Sequence, residues 1–156
     1  MNEFFFNEIR NGNFVEVRAM LEKNPLLLDG KDQRGSTPLI LSTYYDQDEI
    51  TDLLLEKGAK IDAKDASGNT ALMGVCFKGY TDVANKLIEK GGSINERNTM
   101  GATCLIYAAT FNRQEIAKLL LKKGADTNIK DLRGHTALDH AKMQGDPALI
   151  VLLGNS

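Results

Sequence analysis

Residue types that carry out chemistry are scarce in this sequence. Its only histidines are His135 and His140, and its only cysteines are Cys76 and Cys104. The two histidines lie five residues apart, whereas two zinc ligands on one helical face lie three or four residues apart. The chain also lacks a glycine-rich phosphate-binding loop and the spacing of a serine, histidine and aspartate triad. We therefore predict that the protein is not an enzyme and holds no metal or cofactor.

Charge and hydropathy indicate neither a nucleic acid nor a membrane as partner. The sequence has 19 basic and 21 acidic residues, so there is no excess of positive charge to attract a polyanion. Apolar runs such as residues 4–6 and 25–28 are far too short to cross a bilayer, which needs about 20 residues. Residues 1–3 lack the basic start of a signal peptide. We expect a cytoplasmic protein without membrane association.

What the sequence does contain is a repeat with a period of 33 residues. Glycine recurs with this period, threonine follows two residues later and leucine two residues after that, with the glycines at Gly35, Gly68, Gly101 and Gly134. The 156 residues leave no room for a second domain. We predict one domain, residues 1–156, with repeats at approximately 4–32, 33–65, 66–98, 99–131 and 132–156.

Each repeat predicts two short helices followed by an extended finger. In the second repeat, Thr37 is suited to cap a helix whose first residue is Pro38. That helix breaks near Asp46, and a second one begins around Asp48 with apolar residues at helical spacing. Gly58 ends it as a left-handed cap. The fold class predicted from this pattern is all-α.

The pattern of residues 32–62, with Gly-Ser-Thr-Pro-Leu and Leu-Leu-Glu-Lys-Gly-Ala, resembles the ankyrin repeat. Residues 118–128, with Leu-Leu-Leu-Lys-Lys-Gly-Ala-Asp-Thr-Asn, resemble it equally. The resemblance implies a solenoid of stacked helix-turn-helix units with β-turn fingers, here five repeats including two caps. The family's histidine after Thr-Pro-Leu is replaced by Ile40, Met73, Ile106 and Asp139. We expect apolar packing to substitute for its hydrogen bonds in the three inner repeats.

The end repeats differ from the inner ones because each has one unpaired face. In the first repeat we expect the inward face to consist of Phe5, Ile9, Val15 and Val17. In the last, Asp146 is suited to cap a final helix. Both ends are predicted to be caps, so we expect a monomer.

Both cysteines occupy positions at which other repeats carry mostly small residues. Cys76 aligns with Thr43 and Ala109, and Cys104 aligns with Ala71 and Ala137. We predict buried free thiols in a reducing compartment, rather than a disulfide or a reactive nucleophile.

The ankyrin resemblance implies a concave groove, lined by finger tips and first helices, as the surface that binds another protein. We predict a rigid binding module that acts as an inhibitor or scaffold. Its predicted contact residues are Arg34, Tyr44, Tyr45, Asn69, Phe77, Lys78, Met100, Phe111, Leu132, Arg133, His135 and Met143. Protein interfaces are enriched in aromatic and methionine side chains. The alternative for Phe77 and Phe111 is ordinary core packing.

A row of cations follows the fingers and suggests an acidic partner segment. It consists of Arg34, Lys64, Arg97, Lys130 and Arg133. One alternative is a solvated surface that serves only solubility. Another is a site for a polyanion or single-stranded nucleic acid that combines this row with stacked aromatics.

Overall fold

The computed structural model describes residues 2–155, and Met1 and Ser156, the ends of the predicted domain, lie outside the described residues. All regular structure within that range is helical, which confirms the all-α fold. The α-helices are α1 Glu3–Arg10, α2 Phe14–Lys23, α3 Pro38–Tyr44, α4 Asp48–Glu56, α5 Ala71–Lys78, α6 Thr81–Glu89, α7 Cys104–Thr110, α8 Gln114–Lys122, α9 Ala137–Gln144 and α10 Pro147–Gly154. The chain forms two compact units, the first ending at Ala71 and the second beginning at Leu72.

The first unit contains two helical hairpins that pack on each other. Helices α1 and α2 form one hairpin and α3 and α4 the other, with α1 against α3 and α2 against α4. Phe5, Ile9, Leu39 and Leu54 are all buried between them. Neither hairpin has a second apolar layer of its own, so each buries a core face against the other.

The predicted inward position of Val15 is wrong. Val15 is 71% exposed, whereas Val17 is fully buried. Two residues apart on a helix, their side chains point about 200° apart, so both cannot face the core. The inward face of α2 is formed by Val17 and Leu21, which are one turn apart.

A short 3₁₀-helix, Pro25–Asp29, follows α2. The Asn24 side chain accepts a hydrogen bond from the Leu26 amide at 3.3 Å and caps it. Leu27 is buried, and Leu26 is 87% exposed. This helix gives the first repeat an ordered link to the next finger.

The second unit repeats the same packing with more hairpins. Helix α7 packs on α9, α6 on α8, and α8 on α10. The core includes Met73, Leu87, Leu105 and Leu120, none more than 2% exposed. Small buried residues on α7 and α8, such as Ala108, permit close helix approach.

The predicted helix caps are present. The hydroxyls of Thr37, Thr103 and Thr136 accept hydrogen bonds from amides three residues later at 3.1–3.2 Å. The Asp146 carboxylate accepts from the Ala148 and Leu149 amides and caps α10. Each of these helices begins where a side chain can satisfy its first amides.

Apolar packing does replace the absent histidine in the inner repeats. Ile40, Met73 and Ile106 are at most 8% exposed. Polar links between repeats come from other residues. The Gln47 amide donates to the Arg10 carbonyl at 2.9 Å, and the Arg113 guanidinium donates to the Phe77 carbonyl at 3.0 Å.

Successive fingers are joined by backbone hydrogen bonds within each unit. The Ala66 amide donates to the Arg34 carbonyl at 3.1 Å in the first unit, and Leu132 donates to Met100 at 3.0 Å in the second. A side chain reinforces each link, since Lys31 donates to the Lys64 carbonyl and Arg97 to the Lys130 carbonyl. The finger tips are therefore held at a fixed spacing.

A glycine permits this close approach. Gly101 has φ +75°, and a Cβ atom on it would lie only 2.9 Å from the Leu132 nitrogen. Gly134 occupies the same turn position in the last finger with φ +84°, and a Cβ atom there would meet nothing within 4 Å. The two positions therefore differ mainly in the presence of a following finger.

We predict that Gly101→Ala destabilises the protein more than Gly134→Ala. The Gly134 variant carries only the cost of a left-handed alanine, about 1–2 kcal/mol, whereas the added methyl group of the Gly101 variant must also push away the backbone of the next finger. Urea unfolding of both variants measures the difference. Equal free energies of unfolding would show that the fingers are not in contact in solution.

Cys76 and Cys104 are free and buried, as predicted. A hydrogen bond with Cys104 and burial both raise the pKa of the Cys76 thiol well above its usual value. The folded chain therefore keeps this proton at a higher pH than the unfolded chain does. The thiol is unreactive in the native state because the thiolate is the nucleophile.

We predict that iodoacetamide alkylates Cys76 in the unfolded chain but not in the native protein.

Because the thiol pKa of Cys76 is higher in the folded chain, this thiol contributes stability at pH values below its unfolded pKa of about 8.5. The contribution is lost as the pH rises above that value. The free energy of unfolding should thus fall more steeply at alkaline pH in the wild type than in Cys76→Ala. Identical slopes would contradict the raised pKa.

Candidate functional site

The predicted contact residues are distributed over both units. The first unit holds Arg34, Tyr44, Tyr45 and Asn69, and the second holds Phe77, Lys78, Met100, Phe111, Leu132, Arg133, His135 and Met143. Each unit presents its own part of this set.

Exposed apolar side chains coincide with these positions. Among the described residues, the exposed large apolar side chains are Phe4, Val15, Leu26, Tyr45, Met100, Phe111, Leu132, Met143 and Val151. Five of the nine are predicted contact residues, and the other four belong to the first and last repeats. Within the described part of the inner repeats, the large apolar side chains that are exposed are thus predicted contact residues.

In the first unit, the candidate surface is a pair of tyrosines at the end of α3. The rings of Tyr44 and Tyr45 meet edge to face with centroids 5.6 Å apart. Tyr45 is 44% exposed, and the left-handed Asp46 that follows it ends the helix. The Asn69 amide donates to the Asp65 carboxylate at 3.0 Å, so its backbone belongs to the turn.

In the second unit, the candidate surface is built on an aromatic cluster. Phe77 and Phe111 meet edge to face at 4.8 Å, and Tyr107 contacts Phe111 at 6.0 Å. Phe111 is 40% exposed, and Phe77 is half-buried beneath it. Core packing and surface exposure therefore occur together: Phe77 packs against the ring of Phe111, and the ring of Phe111 is open to solvent.

Tyr107 was missed by the sequence analysis, and it ties this cluster to a finger. Its hydroxyl accepts a hydrogen bond from the Asn98 side chain at 2.8 Å. The side-chain oxygen Oδ1 of Asn98 in turn accepts from the Met100 and Ala102 amides at 2.9 and 3.0 Å. The only available signal was a tyrosine nine residues after the asparagine of the turn.

These contacts connect the aromatic cluster to the finger tips. Met100 is 57% exposed and Leu132, hydrogen-bonded to it through the backbone, is 70% exposed. Met143, at the end of α9 on the helix next to α7, is 57% exposed. We call Phe77, Met100, Phe111, Leu132 and Met143 the apolar contact set.

The cations divide into structural and exposed ones. Arg97 donates to the carbonyls of Lys130 and Gly101 at 2.7 and 3.2 Å and so holds two fingers together. Lys78 lies 5.6 Å from the ring centroid of Tyr80. Arg34 and Arg133 are exposed at their finger tips. The predicted row is thus less uniform than the sequence indicated.

The two histidines are close together, which the spacing argument did not anticipate. Their ring centroids are 5.5 Å apart at 90°. His135 lies in the turn before α9 and His140 lies on α9, so helical spacing does not set the distance between them. With Asp131 they offer three ligand atoms within 4.8 Å of one another.

Asp131 organises this turn. One oxygen accepts from the Arg133 and His135 amides at 3.0 Å, and the other lies 2.7 Å from His140 Nε2. Burial alone would raise the pKa of Asp131, but hydrogen bonds from the His135 amide, the His140 ring and the Arg133 amide outweigh it. The net pKa is below the usual value, so the carboxylate is ionised at neutral pH.

No helix within residues 2–155 is long and apolar enough to cross a membrane.

Comparison with known protein families gives a clear match. The family model for ankyrin repeats in three copies matches residues 60–131, and the model for a single ankyrin repeat matches residues 34–66. Together they cover well over half of the chain. No curated protein matches the sequence.

Proposed function

Because the chain belongs to the ankyrin repeat family, we propose that it binds a partner protein through the finger tips and first-helix ends. Ankyrin repeats are generally protein–protein interaction modules and are typically not enzymes. In the second unit, the apolar contact set is the proposed centre of the interface. The module acts as an inhibitor or a scaffold by covering the partner surface that it engages.

The observation that supports this proposal is that the ring of Phe111 is exposed while other aromatic side chains pack against it. Phe77 packs against the edge of its ring at 4.8 Å, and Tyr107 is fixed to the finger by Asn98. The ring is held in one orientation before a partner arrives, so little side-chain entropy is lost on docking. Rigid aromatic side chains of this kind commonly dominate binding energies.

Charge at the finger tips favours an acidic segment in the partner. Arg133 is exposed next to Leu132, and the Asp131 carboxylate is engaged by backbone amides and His140. The cation therefore faces solvent beside an apolar side chain. A partner with an acidic residue next to a large apolar one complements this surface.

We predict that peptides selected from a random display library against the protein are enriched in Asp or Glu next to Phe or Leu. Phe111→Ala should weaken the selected peptide by about tenfold or more, the loss of at least 1.4 kcal/mol expected for an interface anchor. Val151→Ala is the matched control, because Val151 is 62% exposed but lies on α10. Fluorescence anisotropy measures both.

Thermal unfolding by circular dichroism distinguishes a binding role from a core role. A Phe111→Ala protein that keeps its helical content and weakens the peptide supports the site. If it melts far below the wild type, the ring belongs to the core. If it binds as tightly as Val151→Ala does, the apolar contact set is not the interface.

The alternative, a polyanion or single-stranded nucleic acid, has less support because Arg97 is engaged by two carbonyls. We predict that binding of the selected peptide changes little between 50 and 200 mM salt, and that oligo(dT) does not bind tightly even at 50 mM salt. Neutralising several phosphates would instead produce a loss of about 10³-fold or more over this range. Such a loss, with tight oligo(dT) binding at 50 mM salt, would favour the alternative.

A further inference from the structure

We propose that Asp131, His135 and His140 form a binding site for a divalent transition metal ion, with Zn²⁺ as the expected occupant. Each residue offers one ligand atom, and all three atoms lie within 4.8 Å of one another. Two imidazole nitrogens and one carboxylate oxygen are donors that zinc binds readily. Three protein ligands leave a fourth tetrahedral position for water.

The carboxylate is oriented before any ion arrives. Two backbone amides at 3.0 Å fix one oxygen of Asp131, which leaves the other facing His140 at 2.7 Å. The side chains of Asp131 and His140 are only 12% and 16% exposed. Such supporting hydrogen bonds hold metal ligands in place and raise affinity.

The Nδ1 atom of His135 is buried and makes no hydrogen bond to any described residue. A buried polar atom without a partner destabilises a fold by about 1–3 kcal/mol. Coordination of a metal ion through Nδ1 would give this atom a partner.

The preceding repeats form the same turn without histidines. The position of His135 is Ser36, Asn69 and Ala102 in the preceding repeats, and that of His140 is Leu41, Gly74 and Tyr107. All of these turns form with an Asp or Asn side chain accepting the same two amides. The hydrogen bond between Asn98 and Tyr107 shows that a side chain at the His140 position can support the turn. The preceding repeats show no such role for the His135 position, so folding does not explain a histidine there.

Only small movements are needed to accept zinc. With bonds of about 2.0–2.1 Å, two ligand atoms on a tetrahedral ion are about 3.3 Å apart. The Asp131 and His140 atoms, at 2.7 Å, must separate slightly, and the widest separation, 4.8 Å at most, must shrink. Side-chain rotations at the partly exposed His135 can supply the second movement.

The test is calorimetric titration of the chelator-treated full chain with ZnCl₂. We expect saturation at one ion per chain. His135→Ala should reduce the affinity by about tenfold or more. The melting temperature of the metal-free protein should change little, because removal of the unpartnered Nδ1 offsets loss of the ring contact with His140. Tyr107→Phe breaks the corresponding hydrogen bond in the preceding repeat but removes no ligand, so it should bind zinc like the wild type.

Titration with Co²⁺ separates this site from the thiols. Nitrogen and oxygen ligands should give only visible absorption bands, whereas coordination by Cys76 or Cys104 would add intense thiolate bands in the near ultraviolet. The proposal is overturned by thiolate bands, by unchanged zinc affinity in His135→Ala, or by the absence of saturable binding.

Discussion

No hairpin in this chain can bury its own apolar face, and the structure depends on that constraint. Leu87 on α6 and Leu120 on α8 are both fully buried where these two helices pack. Truncation of a buried leucine to alanine costs about 2–5 kcal/mol, a large part of the roughly 5–15 kcal/mol that stabilises a whole domain. Packing against a neighbour thus decides whether each hairpin exists.

The position of every finger follows from that packing. Once α7 rests on α9, the fingers that precede these helices are brought together, and the Leu132 amide meets the Met100 carbonyl. Gly101 leaves room for this contact, and Arg97 adds a bond to Lys130. Exposed side chains at the tips can therefore vary without disturbing the frame, which permits a binding surface on a fixed scaffold.

Features set by neighbouring residues were predictable from the sequence. Thr37 and Asp146 cap helices as expected, since capping needs only a side-chain oxygen and the next few amides. The burial of Ile40 and Ile106 followed from the repeat register. The inward position of Val15 was wrongly assigned because Val15 corresponds in the 33-residue register to Asp48, whereas Val17 corresponds to the buried Ile50.

Features that depend on contacts between repeats were not predictable. Arg97 was assigned to a solvent-facing row, but its partner, the Lys130 carbonyl, lies 33 residues away and can be seen only once the fingers are placed. Tyr107 and Asn98 are nine residues apart, and only the turn of the chain before α7 brings them together. The histidines were judged by helical spacing, which does not apply across the boundary between a turn and α9.

The turn from Asp131 to His135 belongs to both proposed sites. Leu132 and Arg133 point outward from it, while Asp131 and His135 lie beneath them. A bound Zn²⁺ would add two positive charges directly below the tip and reverse the sign that the Asp131 carboxylate gives it. Because Coulomb attraction at a partly buried site is screened less than at an open surface, an acidic partner would bind the loaded turn more tightly. By thermodynamic linkage, binding of the same partner would raise the affinity of the site for Zn²⁺.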